Sequence, residues 1–379
     1  MTSGGGNKLR EVCIGQNGGG KWRNFTAMDT FSSGGLMATG IGMDTDGAAQ
    51  LVVMRAYADG SMGGDAVGLY RLPLDASGER TAQFSAFNGT GTPDEDGFVV
   101  GDVDASRPGP ELVIAEAVTG HATARVRVFG DLATSRPRLL YTLRSLPNSA
   151  TVSGPISVVI GDVVSGSGSP GLEIVVGDRR GRVCVYNVGR GRVNLLRCAA
   201  VFPDSPRTSA LQLAAGNVLP GSADAEILVA DDGTRGDAIV RVVVGRTGAI
   251  LQDFRAFAGA QTVPLQLWIG DVLPGLAGPE VIVGGGPRGG SLRVFSFASG
   301  KARLVSDLPD PFGRGAVSRQ LLTIGDFLPE APGPEVAVAQ SNATVPVEVY
   351  SFQGSTPQLS ASVDVSDVGS TVESMLTVR

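Results

Sequence analysis

Short apolar runs, each bounded by glycine, proline, aspartate or serine, succeed one another along the whole chain, and none carries a sustained helical period. One pattern recurs among them. An apolar run ends in Gly-Asp, a Pro/Gly-rich loop follows, and then comes Glu with four apolar or small residues. The clearest copy reads Leu267-Trp268-Ile269-Gly270-Asp271, a loop, then Glu280-Val281-Ile282-Val283-Gly284. The Gly-Asp element or its equivalent stands at Gly101-Asp102, Gly161-Asp162, Gly216-Asn217, Gly270-Asp271 and Gly325-Asp326, with a weaker copy at Gly42-Met43-Asp44. The matching acids are Glu111, Glu173, Glu226, Glu280 and Glu335, with Gln50 in the weak copy. The last four acids recur roughly every 54 residues, and the path from Glu335 through both chain ends to Glu11 has about the same length.

Each unit reads as four short strands. In the fifth copy they are expected at 265–269, 281–283, 292–297 and near 302–306. The chain ends on the first strand of a unit, Met375-Leu376-Thr377-Val378-Arg379, and begins on the remainder, Leu9-Arg10-Glu11-Val12-Cys13-Ile14-Gly15. A repeat split in this way predicts a closed ring rather than an open solenoid. The expected fold is all-β: a seven-bladed β-propeller of four-stranded antiparallel blades. A C-terminal strand a would join N-terminal strands b to d. Residues 1–8 would be a flexible lead-in and 9–379 one domain, with the closing blade built from about 9–31 plus 371–379.

Composition adds limits. The chain has 379 residues, 42% hydrophobic and 18% charged, with 55 glycines, which suits tight turns and blades packed on both faces. A net charge of −6 argues against a nucleic-acid surface. No apolar run approaches spanning length and no signal peptide is evident, so membrane insertion is not expected. The sequons at Asn24, Asn88 and Asn342 point weakly to an extracellular or cell-surface location. Cys184 and Cys198 stand symmetrically about the turn at Gly191. They are either two small buried residues or a cross-strand disulfide.

Arginine recurs on strand c in four of the blades that carry the strand-b acid, while blade three has Cys184 and blade six Glu348 at that position. Arg127 goes with Glu111, Arg241 with Glu226, Arg293 with Glu280 and Arg23 with Glu11. Intra-blade ion pairs are one reading; a partial arginine ring for an anionic ligand is the other. Chemistry that needs histidine clusters is excluded, since His121 is the single histidine. The Gly-rich run Gly284 to Gly290 joins two strands and lacks the strand-to-helix context of a phosphate loop. Asp94-Glu95-Asp96 reads as a solvated acidic loop. The connections over 73–97 and 133–154 are the longest, and Arg136, Arg138, Tyr141 and Arg144 make the second a candidate partner surface.

The Gly-Asp…Glu-apolar pattern resembles the FG-GAP/VCBS-type repeats of integrin α-like seven-bladed propellers, over nearly the whole chain. The resemblance implies calcium loops between strands a and b. Asp102 and Asp104, and Asp44 and Asp46, are the candidate ligands here. Val164, Leu219, Leu273 and Leu328 occupy the second ligand position elsewhere and cannot coordinate a cation. No cofactor is therefore required, and the loop aspartates are expected to accept hydrogen bonds from their own loops. The resemblance implies a non-catalytic binding or assembly module contacting protein or glycan, or serving as a subunit of a larger complex. The alternatives are the propeller of a glycan-active enzyme such as a polysaccharide lyase, and a structural subunit of a particle, surface layer or filament.

Overall fold

A computed structural model gives the fold. It describes residues 8–14, 20–26, 36–43, 49–55, 66–71, 80–86, 91–118, 125–144, 156–166, 170–189, 191–203, 211–231, 236–261, 265–286, 290–312, 320–328, 331–340 and 346–363. Among these residues every regular element is a strand. Strands β1 (Lys8–Ile14) and β2 (Gly20–Thr26) form a two-stranded sheet, and six four-stranded antiparallel sheets follow in sequence order. Blade 1 holds β3 (Leu36–Met43), β4 (Ala49–Arg55), β5 (Ala66–Arg71) and β6 (Arg80–Ser85). Blade 2 holds β7 (Gly91–Gly101), β8 (Glu111–Val118), β9 (Arg125–Gly130) and β10 (Arg138–Arg144). Blade 3 holds β11 (Ile156–Gly161), β12 (Glu173–Asp178), β13 (Arg182–Gly189) and β14 (Arg192–Ala200). Blade 4 holds β15 (Gln212–Gly216), β16 (Glu226–Ala230), β17 (Ala238–Val244) and β18 (Ile250–Phe257). Blade 5 holds β19 (Gln266–Gly270), β20 (Glu280–Gly285), β21 (Ser291–Ser296) and β22 (Arg303–Leu308). Blade 6 holds β23 (Gln320–Gly325), β24 (Glu335–Gln340), β25 (Val347–Gln353) and β26 (Thr356–Val363).

Six four-stranded blades and one strand pair thus stand where seven full blades were expected. The strand predicted over 371–379 lies outside the described residues. The first strands of consecutive blades lie against one another in order, from β3 through β7, β11, β15 and β19 to β23. This contact explains the repeat glycine. A Cβ on Gly101 would fall 2.1 Å from Ile160, on Gly161 2.7 Å from Ala215, on Gly216 3.0 Å from Ile269 and on Gly270 2.9 Å from Ile324. Each glycine makes room for the residue that precedes the glycine of the next blade. Apolar clusters lie between blades and draw on both neighbours, as Val113 and Ile174 do in one cluster and Ile282 and Val336 in another.

Each fourth strand carries a β-bulge at the same register against its third strand. Just before the bulge stand Leu139, Leu195, Ile250, Leu304 and Leu359, all exposed. A bulge in an outer strand twists the free edge away from further pairing, so a row of exposed aliphatics there coexists with a blunted edge.

The run Asp94 to Asp96 falls inside β7, in the irregular stretch between Pro93 and Phe98, and not in a loop. Arg138, Tyr141 and Arg144 belong to the outer strand β10, which takes up residues 138–144 of the connection expected over 133–154; residues 145–154 lie outside the described residues.

Candidate functional site

The antiparallel order places two kinds of connection at each end of a blade. The loops between first and second strands and between third and fourth strands gather at the Gly-Asp end. The loops between second and third strands, and the crossings to the next blade, gather at the end where inner strands begin.

At the Gly-Asp end the recurrent Glu is a loop cap. One carboxylate oxygen accepts two consecutive backbone N–H bonds in five blades. Glu111 takes Val103 and Asp104, both at 3.0 Å. Glu173 takes Val163 and Val164 at 3.0 and 3.1 Å. Glu226 takes Val218 and Leu219 at the same distances. Glu280 takes Val272 and Leu273, again at 3.0 and 3.1 Å. Glu335 takes Phe327 and Leu328 at 2.7 and 3.2 Å. All five acids are buried. Burial pushes Glu111 and Glu280 up to about 7 against the opposing pull of those N–H bonds, with the nearby Asp102 and Asp271 charges adding to the rise. Burial raises Glu335 as well.

The expected pairing of these acids with the strand-c arginines is corrected. In the register of blade 5 Arg293 faces Val283, and in blade 4 Arg241 faces Val229, well along the strand from Glu280 and Glu226. The arginines instead tie each blade to the one before. Arg127 donates to the carbonyl of Ala86 and Arg241 to that of Val201; Arg293 donates to that of Ala256 at 2.7 Å. Arg241 also stacks on Phe202, Arg293 stacks on Phe257, and Arg293 pairs with Asp307 at 3.0 Å. Guanidinium groups committed in this way do not form a ring open to an anion. Arg23 is opposite Glu11 in the β1–β2 register, and nothing is described of either side chain.

The candidate calcium residues separate. Asp44 and Asp46 lie outside the described residues. Asp104 is buried, and its carboxylate accepts from the Ser106 hydroxyl at 2.5 Å and the Tyr141 hydroxyl at 2.6 Å, with Arg107 at 3.3 Å. Burial pushes Asp104 up, but the Ser106 and Tyr141 hydrogen bonds outweigh it and hold the carboxyl below its usual range. Asp102 is exposed. At Asp102 and Asp104 the residues do not fit a calcium shell: Asp104 is held by donors and a cation, and in other blades the second-ligand positions Val164, Leu273 and Leu328 are buried. Among the described residues no group of three His, Cys, Asp or Glu is spaced to hold a metal. An Asx-type turn is expected of the Asp or Asn after the repeat Gly; instead Asp104, two residues further on, accepts from the Ser106 N–H, and Asn217 donates its Nδ2 to the Ser222 carbonyl at 3.3 Å.

The expected partner surface also divides. Arg136 is exposed, and Arg138 is exposed and paired with Asp131 at 2.6 Å. Tyr141 turns inward to Asp104. Arg144 ends β10, with its side chain outside the described residues. Cys184 and Cys198 face each other across β13 and β14 and are joined in a disulfide, with Cα atoms 4.1 Å apart. His121 lies outside the described residues. A shallow groove of about 330 Å³ at the Gly-Asp end of blade 4 is lined by Leu219, Pro220, Asp224, Val244 and Leu251, but its carboxylate is spent on the Ser165 N–H at 2.8 Å.

At the opposite end, blade 6 departs from its neighbours. Gln320 begins β23 opposite Gln340, and both are buried. Glu348 stands at the strand-c position that holds arginine in blades 2, 4 and 5, and accepts a short hydrogen bond from the Tyr350 hydroxyl. Burial raises both groups; the Tyr350 bond pulls Glu348 partly back and the Glu348 charge lifts Tyr350 further. Reading the motifs missed this group, although Gln320 sits where the repeat otherwise has Ile156, Leu211 and Leu265.

No protein-family model and no curated protein sequence matches the chain. Solved structures do match its fold. The Pseudomonas aeruginosa periplasmic gluconolactonase PpgL is similar over 94% of this chain and 96% of its own, at 16% identity and TM-score 0.56. The rhamnogalacturonan lyase YesW is similar over 97% of this chain at 16% identity and TM-score 0.50, and the chain spans 66% of its length. A chain of the mitotic checkpoint complex is similar over 87% of this chain and 79% of its own, at 11% identity and TM-score 0.51. The blades fit a β-propeller on this likeness. The expectation of a non-catalytic module is corrected by the same comparison, because two of these like-folded proteins are a lyase and a lactonase. The physical reason is plain: lacking histidine clusters does not bar catalysis, since carboxyl and phenol groups also move protons.

Proposed function

We propose that the chain is a glycan-directed β-propeller whose ligand sits at the end where the inner strands begin, in the manner of a glycan-active enzyme's propeller. The observation that supports this most is the whole-chain likeness to a rhamnogalacturonan lyase and a gluconolactonase, both named for sugar chemistry. The same end also carries Gln212, Gln266 and Gln320 on three successive inner strands, and amides are donors and acceptors suited to hydroxyl groups. The repeats are proposed to be of the FG-GAP/VCBS type, with a seventh blade closed by 371–379 on β1 and β2. The Cys184–Cys198 bridge supports an oxidising, extracellular or cell-surface location.

A polysaccharide panel that includes rhamnogalacturonan tests the function, read by affinity electrophoresis and by release of unsaturated sugar. Retarded migration or turnover on at least one polymer is expected. Neither retardation nor turnover on any would sink the reading. Deleting 372–379 tests closure: the truncated chain should melt well below the full one, and an unchanged melting temperature would remove the seventh blade.

A further inference from the structure

The segment from Arg179 to Pro203 carries six arginines and no aspartate or glutamate, in a chain whose net charge is −6. It forms the outer hairpin of blade 3, β13 and β14, pinned across its strands by Cys184–Cys198. The arginines divide. Arg182 is held by Asp178 at 2.8 Å, Arg179 and Arg180 sit in the turn before β13, and Arg190 lies outside the described residues. Arg192 and Arg197 are on β14, both exposed, and neither makes an ion pair among the described residues.

Hairpin register decides which way they face. Residues opposite one another on paired strands share a face, as do alternate residues along a strand. Arg192 is opposite Gly189, Asn194 opposite Asn187 and Arg197 opposite Val185. They therefore share the face of Val183 and Val185, which pack on Ile227 and Val229 of blade 4. Cys184 and Cys198 are on the other face, packed toward Val113 and Val126 of blade 2. Arg192, Asn194 and Arg197 thus form one exposed row along the outer part of the seam between blades 3 and 4. The register from Gly189 to Val185 sets the two arginines about 13 Å apart along the strand. A Cβ on Gly248 would lie 3.4 Å from Nε of Arg197, so that guanidinium borders a turn of blade 4.

The blade 4 charges beside this row already have partners. Arg246, in the same turn as Gly248, pairs with Asp224 at 3.5 Å, and Asp253 stands opposite Arg241. Other outer strands are internal controls. Arg138 of β10 pairs with Asp131, Arg255 of β18 with Asp237, Asp307 of β22 with Arg293, and β26 has no charged residue. Two exposed like charges on one strand add nothing to stability, and no carboxylate among the described residues answers them.

We propose that this row is a docking track for an anionic polysaccharide, a polymer with a carboxylate on successive sugars, laid along β14. Guanidinium forks bind carboxylates through paired N–H bonds, and the amide of Asn194 between them serves hydroxyl groups. Cations about 13 Å apart suit charges repeated along a chain better than one small anion. The disulfide favours an oxidising compartment and so an extracellular polysaccharide over a nucleic acid. The inference deepens the glycan reading and rests on it for the polymer class. It adds a contact on the rim of blade 3, apart from the end where the inner strands begin.

Affinity electrophoresis and titration of the full chain with polygalacturonate, neutral galactan, double-stranded DNA and phosphatidylglycerol vesicles test it, at low and high salt. The variant is Arg192→Gln with Arg197→Gln. The control is Arg80→Gln with Arg303→Gln, exposed arginines on the outer strands of blades 1 and 5, which removes the same charge. Polygalacturonate should bind wild type at least tenfold more tightly than galactan does, and less tightly as salt rises. The β14 pair should weaken it at least tenfold and melt at the wild-type temperature, while the control pair weakens it less than threefold. Arg192→Gln alone, free of any packing change at Gly248, should weaken it at least threefold. Absence of polygalacturonate binding at low salt, equal losses in the two pairs, or tighter binding of DNA or vesicles would overturn the proposal. Retardation by galactan alone would overturn the track and leave the glycan reading standing; no retardation by any polysaccharide would remove both.

Discussion

Replacing Glu280 by alanine removes the acceptor that holds the blade 5 loop. The N–H groups of Val272 and Leu273 then lose their partner in a place where both residues are buried. Each unsatisfied buried donor costs about 1–3 kcal/mol, so E280A should lose roughly 2–6 kcal/mol. Glu280→Gln keeps an oxygen for both donors and removes the titration. Burial raises Glu280 from 4.5 to about 7, so the folded protein holds this proton more tightly than the unfolded chain. The resulting stability is complete below about pH 4.5 and is lost as pH rises through about 7. A rise of that size corresponds to an upper bound of about 3 kcal/mol. Urea unfolding from pH 5 to pH 8 should show wild type losing stability across this range and E280Q losing less, with E280Q the more stable at pH 8. E280A should lie below wild type throughout. Parallel pH curves for wild type and E280Q would refute the buried-carboxyl argument, and a neutral E280A would refute the cap.

Arg293→Ala deletes the 2.7 Å bond to Ala256, the Asp307 pair and the stacking on Phe257. It should cost about 2–3 kcal/mol in thermal unfolding, more than Arg138→Ala, whose exposed pair is worth under about 1 kcal/mol. Gly101→Ala should cost about 1–3 kcal/mol by driving a methyl onto Ile160, and Ile160→Ala in the same chain should recover part of it. Reducing Cys184–Cys198, or making Cys198→Ser, opens a loop of 14 residues and should cost about 3 kcal/mol on the chain-entropy account, read as a drop in melting temperature under dithiothreitol.

The strand order was legible because each blade repeats its own apolar spacing. The fifth copy's expected strands fall within a residue or two of β19 to β22. The partners of its charged groups were not legible. Proximity in sequence suggested Glu280 with Arg293, but hairpin register sets Arg293 opposite Val283, three residues along from Glu280; Glu280 instead accepts from backbone N–H groups, and Arg293 donates to the Ala256 carbonyl and pairs with Asp307. Tyr141 failed for a related reason: an aromatic among arginines looked like surface, while Asp104 drew its hydroxyl inward. Of the expected closing blade the described residues hold β1 and β2, and 371–379 lie outside them.

A repeat protein supplies its own controls, and they bear on what is structural and what is not. The Glu cap occurs in five blades and the inner-strand glycine meets the next blade at four consecutive junctions, so both are explained by the need to build any blade. The calcium loop implied by resemblance is accounted for in the same way: the cap and the buried Val164, Leu273 and Leu328 order the loop that an ion would otherwise order. Features that occur once need another account. The blade 3 exception, Cys184 in place of the arginine, is compensated within its blade by the bond to Cys198. The blade 6 exception is not compensated. Glu348 has gained a tyrosine, but among the described residues Gln320 Oε1 and Nε2 and Gln340 Nε2 have no hydrogen-bond partner. Stability alone would favour leucine there, as at Leu211 and Leu265.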